Sequence, residues 1–155
     1  MFNLDYKIPP PVVGLACAAL AWWLAHAVPA LTLGVPRRLA LLLALALAAA
    51  GLAIELWGLW SFRRHRTTPN PLAPERARTV VQSGPYRFTR NPMYLGVALQ
   101  LLAWCGYLAN PLSLLALAVF VVYITRYQIL PEERALAQRF GEAYRQYLCS
   151  VRRWL

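Results

Sequence analysis

Charge is what this sequence has least of. Only 14% of its 155 residues are Asp, Glu, Lys or Arg, against about 25% in a typical soluble domain. The apolar share is 59%, the mean hydropathy is +0.43, and the apolar residues lie in long blocks, which is the pattern of membrane spans. Cysteine is scarce as well. Cys17, Cys105 and Cys149 are far apart and odd in number; they match neither a metal spacing nor a disulfide framework and read as small apolar fillers, so no metal site is expected. No strand–GxGxxG–helix pattern is present, which argues against a Rossmann domain, and there is no internal repeat. Six acidic residues stand against 16 basic ones, a net charge of +10. Basic residues beside apolar spans meet anionic lipid or set topology. The expected partner is therefore the lipid bilayer and not nucleic acid.

Four apolar blocks are legible, at about residues 12–33, 39–62, 93–107 and 112–127. The first two approach the ~20 residues a helix needs to cross the hydrocarbon. The first block, with Trp22 and Trp23, is too long and too aromatic for a cleaved signal peptide and lacks a basic start. The last two are shorter and joined by Leu108-Ala109-Asn110-Pro111, a turn whose proline cannot extend the preceding helix. They read as a tight helical hairpin, marginal in length, that crosses with local thinning or sits low in the bilayer, and a full span is the expectation. In residues 131–151, Leu136, Phe140, Tyr144, Tyr147, Leu148 and Val151 recur at three- and four-residue steps, with Arg134, Gln138, Glu142 and Arg145 between them. That is an amphipathic helix, with Gly141 as a point of bending. The expected fold is a single all-α integral membrane domain over residues 1–155. It has four transmembrane helices, the last two a hairpin, plus a C-terminal amphipathic interfacial helix.

All the basic residues except Arg37 and Arg38 fall on one side of that topology, in the 63–90 loop, the tail from Arg126, and at Lys7. Positive residues stay cytoplasmic. Both termini and the loop are therefore expected in the cytosol, in the inner membrane if the cell is bacterial. The polar chemistry is gathered on that face.

Two stretches there are specific in combination: "GPYRFTRNPMYLG" at residues 84–96, and "LPEERALAQRFGEAYRQYLCSVRRWL" at residues 130–155, with the hairpin between them. Together they resemble the integral-membrane methyltransferase family, which includes isoprenylcysteine carboxyl methyltransferases and phospholipid N-methyltransferases. The shared pattern is Arg-(His or Asn)-Pro-x-Tyr-x-Gly, a Glu-Glu pair, Phe-Gly-x-x-Tyr-x-x-Tyr, and a basic-aromatic end. It covers the chain from about residue 67 onward.

The resemblance implies a small helical membrane bundle and S-adenosyl-L-methionine as cofactor, bound at the cytoplasmic face between the arginine-proline element and the Glu-Glu helix. Tyr86, Arg90, Asn91, Pro92, Tyr94, Glu132 and Glu133 are the expected cofactor-binding residues. Arg126 and Glu133 are the expected catalytic ones. The acceptor is expected to be lipidic or membrane-partitioned, bearing a carboxylate, an amine or a similar group. Asn91 stands where prenylcysteine enzymes carry His; it hydrogen-bonds but does not titrate near neutrality, which speaks against proton transfer there. Nothing marks a prenyl pocket.

The residue types suit the chemistry. Methyl transfer from a sulfonium is an in-line displacement in which the protein mainly positions the reactants and shapes the field. Carboxylates suit the cofactor's ammonium and ribose, and aromatic rings its adenine. Plainer readings stand beside these. Glu132 and Glu133 follow Pro131 and suit a helix dipole, Arg87, Arg90 and Arg126 suit snorkelling to lipid phosphate, and Tyr86 and Tyr94 suit an interfacial belt, as Trp57 and Trp60 do. Glu55, inside the second block, is costly in lipid unless paired or facing a cavity; it is expected in an ion pair with an arginine, the alternative being a place in the lining of the active-site groove. His26 is expected to hydrogen-bond within the bundle. "RTTPNPLAPERA", residues 66–77, reads as an ordered loop over the cofactor. Two other functions fit parts of the sequence: an NADPH-dependent membrane reductase of the sterol-reductase type, which the short length disfavours, and a non-catalytic scaffold, which leaves the clustered motifs unexplained.

Overall fold

The computed structural model describes residues 7–65 and 79–155. The 66–77 loop, with Arg66 and Arg76, lies outside the described residues, as does Arg78. Every regular element among the described residues is helical: α1 Pro10–Ala27, α2 Arg37–Arg64, α3 Pro92–Leu108, α4 Leu114–Ile124, α5 Leu130–Phe140 and α6 Glu142–Ser150. Three helical runs are long and apolar enough to cross a membrane: Pro10–Ala27, Arg37–Arg64 and Pro111–Phe140. Helix α3, at 17 residues, is a shorter apolar helix.

The boundaries differ from the sequence expectation in three places, each with a local cause. Helix α1 ends at Ala27, not near Leu33, because Pro29 supplies no N–H to continue the ladder and opens a 3₁₀ turn, Pro29–Leu31. The fourth apolar block does not stop at Tyr127. It runs on through a π-helical turn, Thr125–Ile129, directly into α5. The wide turn breaks the regular ladder just before Pro131, where a proline would break it anyway. The tail is two helices instead of one, because Gly141 adopts φ +55°, a conformation that costs glycine least.

Helix α2 packs along α3 and little else; its other flank, with Leu41, Leu42, Leu45, Leu52, Leu56, Trp57 and Trp60, is exposed. Such a continuous apolar face is expected to meet lipid. The two helices cross on glycine. A Cβ on Gly96 would lie 2.6 Å from the carbonyl oxygen of Gly51, and one on Gly51 equally close to that of Gly96. Small residues at a membrane helix crossing let backbones approach and gain dispersion contacts. On the other side of α3, helices α1 and α4 close a core of Val13, Cys17, Tyr94, Ala98, Leu101, Phe120, Ile124 and Ile129. A smaller cluster holds Ala21, Cys105 and Ala116, so two of the three cysteines are indeed buried fillers.

The α3–α4 hairpin is locked by Asn110. Its Oδ1 accepts from the Leu112 N–H at 3.0 Å, and its Nδ2 donates to the carbonyls of Ala25 (3.1 Å) and Val28 (3.0 Å) at the end of α1. Asn110→Ala should lower stability by about 1–3 kcal/mol, because it strands buried carbonyls. A thermal melt in detergent checks this, and an unchanged midpoint would show that the tether is idle.

Candidate active site

The site forms where the Gly84–Arg87 turn, the start of α3, the start of α5 and the tail meet. Gly84, at φ +62°, allows the turn to press against α2: a Cβ there would sit 2.6 Å from Ser61 Oγ and 2.9 Å from Trp57 Nε1. This brings Tyr86 inward, edge-on to Phe62 with ring centroids 5.2 Å apart. The Tyr147 hydroxyl on α6 donates to the Tyr86 carbonyl at 2.8 Å.

Residues 89–91 then bind the tail by hydrogen bonds from backbone and side chains. The Arg90 N–H donates to the Arg152 carbonyl at 3.0 Å. Thr89 Oγ1 and Asn91 Nδ2 both donate to the Arg153 carbonyl, at 3.2 and 2.9 Å. Asn91 thus occupies the residue before α3 without capping it; its side chain holds the tail.

Arg90 and Glu133 form the centre of this clamp. One terminal nitrogen of Arg90 donates to the carbonyls of Leu148 (2.7 Å) and Val151 (2.8 Å), and the other to Glu133 Oε1 at 2.9 Å. Arg153 approaches the same carboxylate side-on, with Nε 3.0 Å from Oε1 and a terminal nitrogen 2.8 Å from Oε2. Two guanidiniums therefore saturate Glu133, and the side chains of Arg90 and Glu133 are 10% and 11% exposed. The bond to Glu133 raises the Arg153 pKa further still. Of the Arg90 nitrogens, Nε has no hydrogen-bond partner among the described residues.

Glu132, one residue away, turns elsewhere. It lines a cavity of about 260 Å³ together with Tyr86, Arg90, Asn91, Tyr94, Met93 and Phe62, with Pro10, Pro11, Glu55 and Val97 closing the membrane side. Its Oε2 lies 3.4 Å from the Tyr94 hydroxyl, a long hydrogen bond that a ligand can replace. Burial pushes the Tyr86 phenol well above its ordinary pKa, and the charge on Glu132 adds to the effect, then Tyr147. Tyr144 and Tyr147 are raised for the same first reason, burial, and Tyr144 also by Glu133 and Glu132. All three stay protonated and keep a proton to donate, as Tyr147 does to the Tyr86 carbonyl.

The other expected residues fall as follows. Pro92 is buried at the first position of α3. Arg126, on the π turn, is exposed, with its guanidinium 5.6 Å from the Tyr127 ring centroid, and is not among the cavity's lining. Arg87 is exposed. Glu55 does not take an arginine partner in the described contacts; its Oε1 accepts from Gln100 Nε2 at 2.9 Å. Gln100, Phe62 and Arg153 were not singled out from sequence. A signal for the first existed: Gly51 and Glu55 on α2, and Gly96 and Gln100 on α3, are both four apart, so each glycine sits one turn from a polar side chain. No group of three His, Cys, Asp or Glu is placed to hold a metal among the described residues.

The profile of a protein family described as phospholipid methyltransferase matches residues 39–143. The chain belongs to that family. The match takes in α2 to α5, and with them the arginine-proline element and both glutamates, and ends just before Tyr144, Tyr147 and Arg153. The chain is also similar to an uncharacterized protein of Haemophilus influenzae, 46% identical over 63 residues, which is 41% of this chain and the whole of that relative. No solved structure matches. Family membership and the apolar helices make this a methyltransferase-type membrane protein.

Proposed function

We propose that the protein is an S-adenosylmethionine-dependent methyltransferase acting on a lipidic or membrane-partitioned acceptor at the cytoplasmic face, with four crossings and both termini cytoplasmic. The observation that carries this reading is the position of Glu55. It lines both the cavity that holds Glu132 and a second, apolar one on α1 and α3, lined by Leu15, Ala18, Leu101 and Trp104; Pro11 and Val97 are shared too. A chamber with aromatic walls, into which Glu132, Arg90 and Asn91 bring polar groups, thus adjoins a groove between helices, which suits a cofactor with charged ends in one and an apolar acceptor in the other.

The lining fits the cofactor. Glu132 offers an anion to the ammonium of its amino acid moiety, Tyr86 and Phe62 offer aromatic surface to its adenine, and Tyr94 orients Glu132. The cofactor supplies a methyl group already activated on a sulfonium. The chain supplies position and field. Asn91 and Pro92 shape the floor by starting α3. Arg90 and Glu133 act in this reading by positioning: their clamp draws the tail over the chamber and keeps water from it. Glu55 and Gln100 hold the polar group of the acceptor at the junction. Arg126, facing outward on the π turn, attracts an acidic part of the acceptor from the membrane surface.

Glu132→Gln should weaken binding of S-adenosylmethionine or its demethylated product about ten- to a hundred-fold, the loss of a charge-assisted bond worth roughly 1.5–3 kcal/mol. Arg126→Ala should leave that affinity intact and slow turnover. Calorimetry in detergent, beside a methyl-transfer assay, reads both. Normal cofactor binding by the Glu132 variant would displace the site, and NADPH binding without any response to S-adenosylmethionine would favour the reductase.

A further inference from the structure

The far end of the bundle holds another cavity, of about 460 Å³, between the end of α1, the start of α2 and the end of α3. Arg37 begins α2 and Phe62 of the candidate active site lies 25 residues further along it, so these two residues are some 37 Å apart at ~1.5 Å per residue. The walls are Trp22, His26, Leu33, Trp104 and Tyr107, and Arg37 supplies the charge.

Each polar part is held in place. Arg37 donates from a terminal nitrogen to the Tyr107 hydroxyl at 3.1 Å, which orients the fork and leaves its other donors for a ligand. Tyr107 stacks on Trp104 with centroids 5.7 Å apart, and Trp104 Nε1 is tied to the Ala18 carbonyl at 3.0 Å. On the opposite wall the His26 ring lies 4.4 Å from Trp22, and its Nδ1 bonds the Trp22 carbonyl at 2.8 Å. The His26 bond thus stays within α1, one turn back, and does not join a neighbouring helix as expected. No carboxylate lines the cavity, and the sequence carries no Asp or Glu from Tyr6 to Ile54. An exposed guanidinium tethered to Tyr107, with no carboxylate in the cavity and framed by indole and phenol rings at the end of apolar helices, calls for an anion that itself sits at a membrane surface. Guanidinium matches phosphate in shape and charge, and aromatic rings favour the headgroup level. We propose that this cavity binds the phosphate of an anionic phospholipid in the leaflet opposite the candidate active site, independently of the methyl-transfer reading.

The test uses the whole protein, with Trp23, Trp57 and Trp60 replaced by Phe, in phosphatidylcholine nanodiscs with graded amounts of brominated phosphatidylglycerol, a quencher of lipid-facing indoles, here Trp22 and Trp104 at the cavity. Quenching should saturate at low phosphatidylglycerol content, a preference of about tenfold over phosphatidylcholine, as one charge-assisted contact provides. Arg37→Gln should abolish the preference and Tyr107→Phe reduce it. Arg38→Gln, beside the cavity but not in its lining, should leave it unchanged. Arg37→Lys keeps the charge without the fork and should fall between, which separates loss of binding from loss of folding. Equal losses in the Arg37 and Arg38 variants would reduce the effect to diffuse charge at the membrane edge and overturn the proposal. Competition by millimolar inorganic phosphate would overturn the assignment to lipid.

Discussion

Arg90→Leu should release the tail from the rest of the protein. The substitution removes three hydrogen bonds at once: the carbonyls of Leu148 and Val151 lose this donor, and Glu133 is left to Arg153 alone. Each buried carbonyl stranded without a donor costs roughly 1–3 kcal/mol, while the Glu133 charge keeps Arg153 as its partner. Hydrogen exchange should then show residues 148–154 losing protection together, and methyl transfer should fall with them. Arg90→Lys is the informative comparison: an ammonium cannot serve two carbonyls and a carboxylate in one plane, so it should rescue little. If the leucine variant melts normally with a protected tail, the clamp carries no weight. If lysine restores full function, only charge matters there.

The second large effect lies at the helix crossing. Gly96→Val should force α2 and α3 apart, since even a Cβ would meet the Gly51 carbonyl at 2.6 Å and Glu55 Oε1 at 2.7 Å. Backbone cannot yield as a side chain can, and overpacking of this kind costs typically 1–3 kcal/mol or more. Because α2 has almost no other neighbour, the loss falls on the whole helix. Gly106 is the control within the same helix: a Cβ there meets nothing within 4 Å. Gly106→Ala should be neutral or slightly stabilising, by up to ~1 kcal/mol of helix propensity. Melts of both variants decide it; equal destabilisation would mean that glycine matters for flexibility and not for the crossing.

Apolar run length and turn chemistry made the helices and the Asn110-Pro111 hairpin legible in the sequence, because both are local. Helix ends were less so. Counting apolar residues carries α1 past Pro29, although the proline stops it, and nothing local distinguishes a span that ends at Tyr127 from one that continues through a π turn. The candidate site divides the same way. Its pieces are visible as motifs, yet the separate orientations of Glu132 and Glu133 are not. Neighbours on a helix point about 100° apart, and what captures Glu133 is Arg153, 20 residues further on. Glu55 shows the opposite limit: its cost in an apolar run is plain, while its partner, Gln100, is 45 residues away and uncharged.

The clamp also imposes an order in time. Asn91 and Arg153, which it joins, are 62 residues apart, about 3–12 s of synthesis at 5–20 residues per second. Arg90 waits without its carboxylate until Glu133, 43 residues on, has been made, and without the carbonyls of Leu148 and Val151 until later still. The chamber beside Glu132 therefore takes shape last, after the hairpin has been inserted and the tail has left the ribosome. A nascent chain halted within the tail would hold its helices in the bilayer with this end of the bundle still open to water.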